Sequence, residues 1–296
     1  MPRPLESVPN FSEGRDGATI AALADALGER AALLDVHADR DHHRSVFTLV
    51  AREAELVESL VAGVAVARER IDLRRHEGAH PRVGAADVVP LVPLAPEDLP
   101  RARTAALVVA ERIGCELALP VFLYGALASG RRTASLRSGG LSELRRRVES
   151  GELTPDFGPG RIDERSGAVL VAARPPLVAF NVNLHGATLE VAQAIARTVR
   201  ERDGGFAGVR ALGLDLVSAG LVQVSMNIED VTAAPPHEVV ALVRREAAAR
   251  GATVESAELV GLMPAGAVAA AAAGALGLER LDASRILEVR AAWPGV

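Results

Sequence analysis

Residues 177–184 read LVAFNVNL. Side chains alternate along a strand, so Val178, Phe180, Val182 and Leu184 share one side and Asn181 and Asn183 the other. The stretch predicts a strand with one apolar and one polar face. Downstream, Thr188 is placed to cap a helix running to about Arg202, with Leu189, Ala192, Ile195, Ala196 and Val199 on one side. GVRALGLDLV (208–217) and LVQVSMNIED (221–230) read as two strands joined by a turn at 218–220. Pro235 and Pro236 open the next helix, Gly251 closes it, and TVESAELVGL (253–262) is a last strand. The order β-α-β-β-α-β is the ferredoxin-like split βαβ unit. On LVQVSMNI, Gln223, Ser225 and Asn227 join Asn181 and Asn183 to make a polar, uncharged sheet face. Such a face suits solvent, or the wall of a polar cleft.

The upstream half repeats the order. LESVP (5–9) is a short strand, a helix runs from about Asp16 to Arg30, and ALLDVHA (32–38) and RSVFTLVA (44–51) are strands. Residues 53–73 form a long helix with Val57, Leu60, Val61, Val64 and Ile71 on its apolar stripe. DVVPLVPL (87–94) is the next strand, followed by a helix at 97–117, the strand PVFLY (120–124) and helices to about Ser150. The expected fold is α/β: two ferredoxin-like βαββαβ subdomains packed side by side with a cleft between them. The break at ARPPL (173–177) divides the chain into subdomains 1–176 and 177–296.

Composition narrows the function. The chain has 296 residues, 49% apolar and 24% charged, with a formal net charge of −5. An acidic balance gives no reason to expect nucleic acid, whose binding depends on neutralising phosphates. One cysteine excludes an internal disulfide and a cysteine-based metal site. No apolar leader or membrane-spanning run is present, so a cytoplasmic protein is expected.

Residues 74–87 read RRHEGAHPRVGAAD. HEGAH matches H-E-x-x-H literally, the zinc-protease signature. That motif needs a helix, which puts both histidines on one face. Gly78 disfavours a helix by about 1 kcal/mol relative to alanine. Pro81 pushes His80 out of the α region. The stretch is therefore expected to be a loop, with no metal. A loop dense in His, Arg and Gly at a helix-to-strand junction suits proton-transfer chemistry, or equally a surface loop of solvated charges.

Longer stretches carry a resemblance. VPNFSEGR (8–15), LLDVHADRDHHRSVFTLV (33–50), RRHEGAHPRVGAADVVPLVP (74–93), PVFLYG (120–125), PDFGP (155–159), LVAFNVNL (177–184) and QVSMNI (223–228) resemble the glutamate formiminotransferase family. Its H-x-G-x-H-P-R-x-G-A-x-D pattern is met in full from His76 to Asp87. The resemblance implies transfer of the formimino group of N-formimino-L-glutamate to nitrogen 5 of tetrahydrofolate, releasing L-glutamate. It implies tetrahydrofolate as co-substrate, a cytoplasmic stand-alone transferase without the cyclodeaminase domain, and small-molecule partners rather than nucleic acid or membrane; a homodimer stays open. The family's catalytic histidine corresponds to His80, as general acid and base. Its folate-binding segment corresponds to Gly158, Pro159, Gly160, Arg161, Ile162, Asp163, Glu164, Arg165, Ser166 and Gly167.

Substrate carboxylates call for arginine, whose planar fork binds them at two points. Arg82, Arg44 and Arg15 lie in matching motifs, and Asn181, Asn183 and Asn227 offer uncharged polar contacts. One departure stands out: His43 occupies a position where the family commonly has Asn. The alternatives are a related enzyme acting on N-formylglutamate or 5-formyltetrahydrofolate, or a folate-binding protein without activity.

Overall fold

The computed structural model describes residues 3–278, 281–287 and 289. The chain divides into two compact units, Met1–Pro175 and Pro176–Val296.

The first unit runs β1 (Leu5–Ser7), β2 (Asn10–Phe11), α1 (Gly17–Gly28), β3 (Ala32–Asp39), β4 (Arg44–Ala51), α2 (Glu53–Arg70), β5 (Ala86–Pro93), α3 (Leu99–Glu116), β6 (Val121–Gly125), α4 (Thr133–Arg137), α5 (Gly140–Glu149) and β7 (Val169–Ala173). These strands make one seven-stranded sheet. β1 and β2 lie end to end between β4 and β5, antiparallel to both. β3 pairs with the far side of β4. Together they form the split βαβ arrangement, extended past β5 by β7 and β6 in parallel. Three of these strands go beyond a β-α-β-β-α-β unit: β6, expected at PVFLY, and β2 and β7, which the sequence reading does not include. β5 is buried along its whole length, which suits its run of Val, Leu and Pro.

Alternation divides the sheet's two faces. Phe47, Leu49, Val89, Leu91, Val169 and Val171 pack with the apolar stripes of α1, α2 and α3. A fully buried side chain such as Leu60 or Phe47 contributes about 1.5–3 kcal/mol. On the other face, Val88, Phe122 and Leu170 pack against Leu136 of α4 and Leu144 and Val148 of α5. That second layer brings α4 to the sheet beside β5.

The second unit runs β8 (Val178–His185), α6 (Leu189–Val199), β9 (Val209–Leu216), β10 (Leu221–Ile228), α7 (Pro236–Ala248), β11 (Thr253–Val260) and α8 (Ala265–Leu276). Its sheet order, β11-β8-β10-β9, is antiparallel throughout and ferredoxin-like. Thr188 caps α6 through its hydroxyl. Val178, Val182, Leu184, Val222, Val224, Met226 and Ile228 face the helices, as alternation predicts. Among the described residues, no helix is long and apolar enough to cross a membrane.

Candidate active site

The HEGAH segment is not helical. α2 ends at Arg70 because Ile71 turns extended. The Asp72 carboxylate then accepts from the Arg74 N–H and starts a single 3-10 turn over Leu73–Arg75. From His76 the chain lies against the turn between β3 and β4, where Ala79 N–H donates to Asp41 O at 3.0 Å. Gly78 permits this approach. A Cβ there would sit 2.5 Å from His42 O and 2.8 Å from the His43 Cβ.

Four imidazoles gather around this contact, and they pair off differently from a metal site. His43 adopts φ +48, a left-handed conformation in which Asn is enriched. Its Nδ1 lies 2.9 Å from Glu77 O and its Nε2 3.1 Å from Glu13 Oε1. Its ring stacks on His76, with centroids 3.6 Å apart and 15° between planes. Loss of solvation, then the charges of Arg82 and His43, push His76 down to about 3. A neutral His76 can therefore accept the hydrogen bond from Arg82 Nη1.

Arg82 is spent on the protein itself. Its Nε and Nη2 donate to His80 O at 3.1 and 2.7 Å, and Nη2 also to His42 O at 3.0 Å. Burial, then the charge of Arg44, lowers it to about 10, so it stays cationic at neutral pH. Its fork ties the histidine loop to the β3–β4 turn.

His80 is only partly exposed. Its Nδ1 lies 2.8 Å from Pro81 O. A carbonyl only accepts, so Nδ1 carries the proton and Nε2 keeps its lone pair. Although the residue is not fully buried, loss of solvation is the largest influence on the ring. The charges of Arg44 and Arg137 add to this, against Asp87, and hold the ring well below the ordinary imidazole value. His42 lies alongside, at a centroid distance of 5.8 Å.

Beneath the loop sits Asp87, fully buried. The pairing of β2 with β5 slips between Asn10 and Phe11, a bulge of the kind that re-aims side chains. Asp87 Oδ1 accepts the Val83 N–H at 2.9 Å, which anchors the loop's exit. Oδ2 accepts from Arg44 Nη1 at 2.7 Å and from Arg137 Nη2. Burial pushes the carboxyl up, but Arg137, Arg44 and the Val83 N–H outweigh it and leave Asp87 well below the usual carboxylate range. Arg44 also donates Nε to Asn10 Oδ1 at 2.9 Å. Tyr124 closes the group, its hydroxyl pushed up by burial, with the charges of Arg174 and Arg137 acting against this.

The 158–167 loop is tied to the same place. Gly167 bridges Gly84, Ala85 N–H donates to Ser166 O at 2.8 Å, and Leu73 N–H to Arg165 O at 2.9 Å. Ile162 is buried with Val83 and Leu136. Asp163 closes the turn by accepting from the Arg165 and Ser166 N–H groups. Glu164 pairs with Arg145, and Arg165 donates to Glu69 O. Gly158 packs against Leu119 and Gly114, while Pro159, Gly160 and Arg161 are exposed. A cavity of about 420 Å³ opens beside the histidine loop, lined by Leu73, His76, Glu77, Gly78, Arg82 and Leu141.

The structure thus brings together His80, Arg82, Arg44 and the 158–167 loop. Arg15 stands further out, exposed, donating Nε to Arg40 O at 2.9 Å. Asn181, Asn183 and Asn227 belong to the second unit, on the sheet face away from its core. There Asn181 donates to Glu258 Oε2 at 3.1 Å, and Asn183 donates to Ser256 Oγ and accepts from Gln223. Asn227 is exposed. Glu258, on β11, puts a charge on the face that β8 and β10 alone make neutral. Sequence reading assigned no role to Asp87, Arg137, Tyr124 or Arg174. The closing Asp of the H-P-R-x-G-A-x-D pattern was the one available signal.

The chain matches the family model described as "Formiminotransferase domain, N-terminal subdomain" over residues 4–174 and "Formiminotransferase domain" over 179–282. It is 36% identical over 291 residues to a glutamate formimidoyltransferase of Thermoplasma acidophilum, covering 96% of each chain. It is 35% identical to a glutamate formimidoyltransferase of Streptococcus pyogenes serotype M1, covering 95% of this chain and 96% of that one. Against a formimidoyltransferase-cyclodeaminase of Gallus gallus it is 36% identical over 95% of this chain, spanning 54% of that protein. The chain belongs to the formiminotransferase domain family.

Proposed function

We propose that this chain is a glutamate formimidoyltransferase that moves the formimino group of N-formimino-L-glutamate to N5 of tetrahydrofolate, with His80 as general acid and base. The observation that carries the role of His80 is the 2.8 Å contact between its Nδ1 and Pro81 O. Nδ1–H is held by Pro81 O, which leaves the Nε2 lone pair unprotonated. Tetrahydrofolate N5 attacks the formimino carbon, and His80 Nε2 takes the N5 proton as the new N–C bond forms. The imidazolium returns that proton to the glutamate nitrogen as the old C–N bond breaks. The products are 5-formiminotetrahydrofolate and L-glutamate, and the step balances without a metal or redox partner.

The cationic surroundings favour the second half of this cycle. They make the imidazolium a strong acid toward the leaving nitrogen and keep the resting ring neutral at pH 7. Arg82 acts as a positioning residue, because its fork fixes the His80 carbonyl. Leu73 lines the cavity beside the histidine loop and donates its N–H to Arg165 O of the 158–167 loop, which supports that loop as the tetrahydrofolate contact. A cytoplasmic enzyme working on free small molecules fits this reading.

The test offers purified protein N-formiminoglutamate, N-formylglutamate or 5-formyltetrahydrofolate, each with its co-substrate. Glutamate release from the formimino donor alone, dependent on tetrahydrofolate, is expected. His80→Ala should lose about 10²–10⁴ in kcat with its circular-dichroism spectrum unchanged. The His80 limb of the wild-type pH–rate profile should fall below pH ~6.5. A near-full rate in His80→Ala would remove this mechanism.

A further inference from the structure

Three arginines mark the histidine loop, and their commitments differ. Arg82 has Nε, Nη1 and Nη2 engaged by loop carbonyls and His76. Arg44 is buried, with Nε on Asn10 and Nη1 on Asp87. Arg137 is held at one nitrogen only, Nη2 on Asp87. Its Nε is buried with no hydrogen-bond partner, and a buried donor left unpaired is unfavourable.

The local charge is also unbalanced. Arg44 and Arg137 share one oxygen of a single carboxylate, Asp87 Oδ2. One negative charge faces two guanidinium groups, and half-buried Arg82 adds a third close by. The same Asp87 holds the Val83 N–H through Oδ1, three residues beyond His80. The unspent part of Arg137 therefore lies at the base of the histidine loop.

We propose that Arg137 binds the α-carboxylate of the amino-acid donor, which completes its fork. The choice of carboxylate follows from connectivity. In N-formiminoglutamate the α-carboxylate sits on the carbon that carries the reacting nitrogen. In tetrahydrofolate the glutamate tail is separated from N5 by the p-aminobenzoyl group. A carboxylate bound beside the proton-transferring imidazole thus belongs to the donor. Arg137 rides on α4, whose Leu136 is buried against the sheet, so the guanidinium is fixed in advance of binding.

This inference rests on the reading of function above, and the test separates the two. The full chain is assayed as wild type, Arg137→Gln and Arg137→Lys, with N-formimino-L-glutamate and with its α-carboxamide. Arg137→Gln should raise the donor KM, and the donor Kd measured by calorimetry, on the order of 10–100-fold, the loss of one charge-assisted contact. The tetrahydrofolate KM should stay within about twofold and Arg137→Lys should recover part of the loss. Wild type should discriminate against the carboxamide by a similar factor, and Arg137→Gln by less than about threefold.

An unchanged donor KM in Arg137→Gln would overturn the inference while leaving the transferase reading intact. So would a rise in the tetrahydrofolate KM instead, or a carboxamide penalty that persists in the variant. If Arg137→Gln does not fold, the carboxamide penalty in Arg137→Lys decides, and a wild-type value there overturns the inference. Wild type that neither binds nor turns over the formimino donor would remove both.

Discussion

Asp87→Asn should be among the most damaging single changes of a polar residue in the first unit. The substitution keeps shape, and the amide oxygen can still accept the Val83 N–H. It removes the charge that faces Arg44 Nη1 at 2.7 Å and Arg137 Nη2. The Arg44 and Arg137 side chains are only 8% and 15% exposed, so water replaces little of what is lost. Two hydrogen bonds to charged groups, each about 1.5–3 kcal/mol, and a broken buried ion pair, about 3–5 kcal/mol, describe the same loss from two sides. We expect a destabilisation of about 3–5 kcal/mol, or roughly 10 °C in Tm for a unit of this size. Tyr124, the single tyrosine, lies beside the cluster, so its fluorescence during urea unfolding reports on the first unit. Asp87→Asn with Arg137→Gln should cost less than the two changes summed, because the double variant strands one guanidinium fewer. A cost below about 1 kcal/mol, or strict additivity, would refute the claim that Asp87 neutralises this cluster.

Acid stability should carry the mark of His76. Its folded value is pushed down to about 3, from an ordinary 6.5. The unfolded chain then binds the proton first, and stability falls as pH drops from ~6.5 toward ~3. His80 contributes with the same sign. His76→Phe keeps a stacking ring without the titration, and urea midpoints between pH 7 and 4 should flatten in that variant; an unchanged slope would contradict a neutral, buried-edge His76. Gly84→Ala tests the junction of the two loops. Its Cβ would lie 2.0 Å from Ala168 O, a backbone atom. A loss of about 1–3 kcal/mol in urea unfolding is expected, and a neutral outcome would show that the Gly84–Gly167 bridge can part freely.

The parts legible in the sequence were those with a period or a steric prohibition. Alternation along LVAFNVNL and LVQVSMNI assigned the core face of the second unit, and the same residues line it. Gly78 and Pro81 forbade the helix that H-E-x-x-H requires, and residues 76–83 are irregular. β2 has two residues, too few to show a period. β7 is a fully buried parallel strand, so its two faces are alike and it lacks alternation. Arg137 was hidden for another reason. It lies among several arginines in GRRTASLRSGG (130–140), and its partner is 50 residues away in sequence. Arg82 shows the converse: its motif is legible, yet its fork is consumed by the carbonyl of His80 in its own loop and by those of His42 and His43, which only the folded turn supplies.

On the proposed roles of His80 and Arg137, the charge excess around His80 would link donor binding to proton transfer. Burial, and then the charges of Arg44 and Arg137, depress the proton affinity of the ring, which would make it a weak base for the attacking N5. A donor carboxylate on Arg137 would cancel part of that positive field and raise the proton affinity toward its ordinary value. His80 would then become a competent base only with its donor in place. The departing glutamate would leave the field positive again, favouring a neutral ring for the next cycle. On this account Arg137→Gln alters more than affinity. It should raise the His80 pKa in the free enzyme, seen as an upward shift of the acid limb of kcat/KM, because one of the two nearby cations is gone. A purely structural Arg137 would leave that limb where it is. The shift in pH, rather than the loss in rate, is therefore the measurement that distinguishes a residue that tunes the imidazole from one that only buttresses the loop.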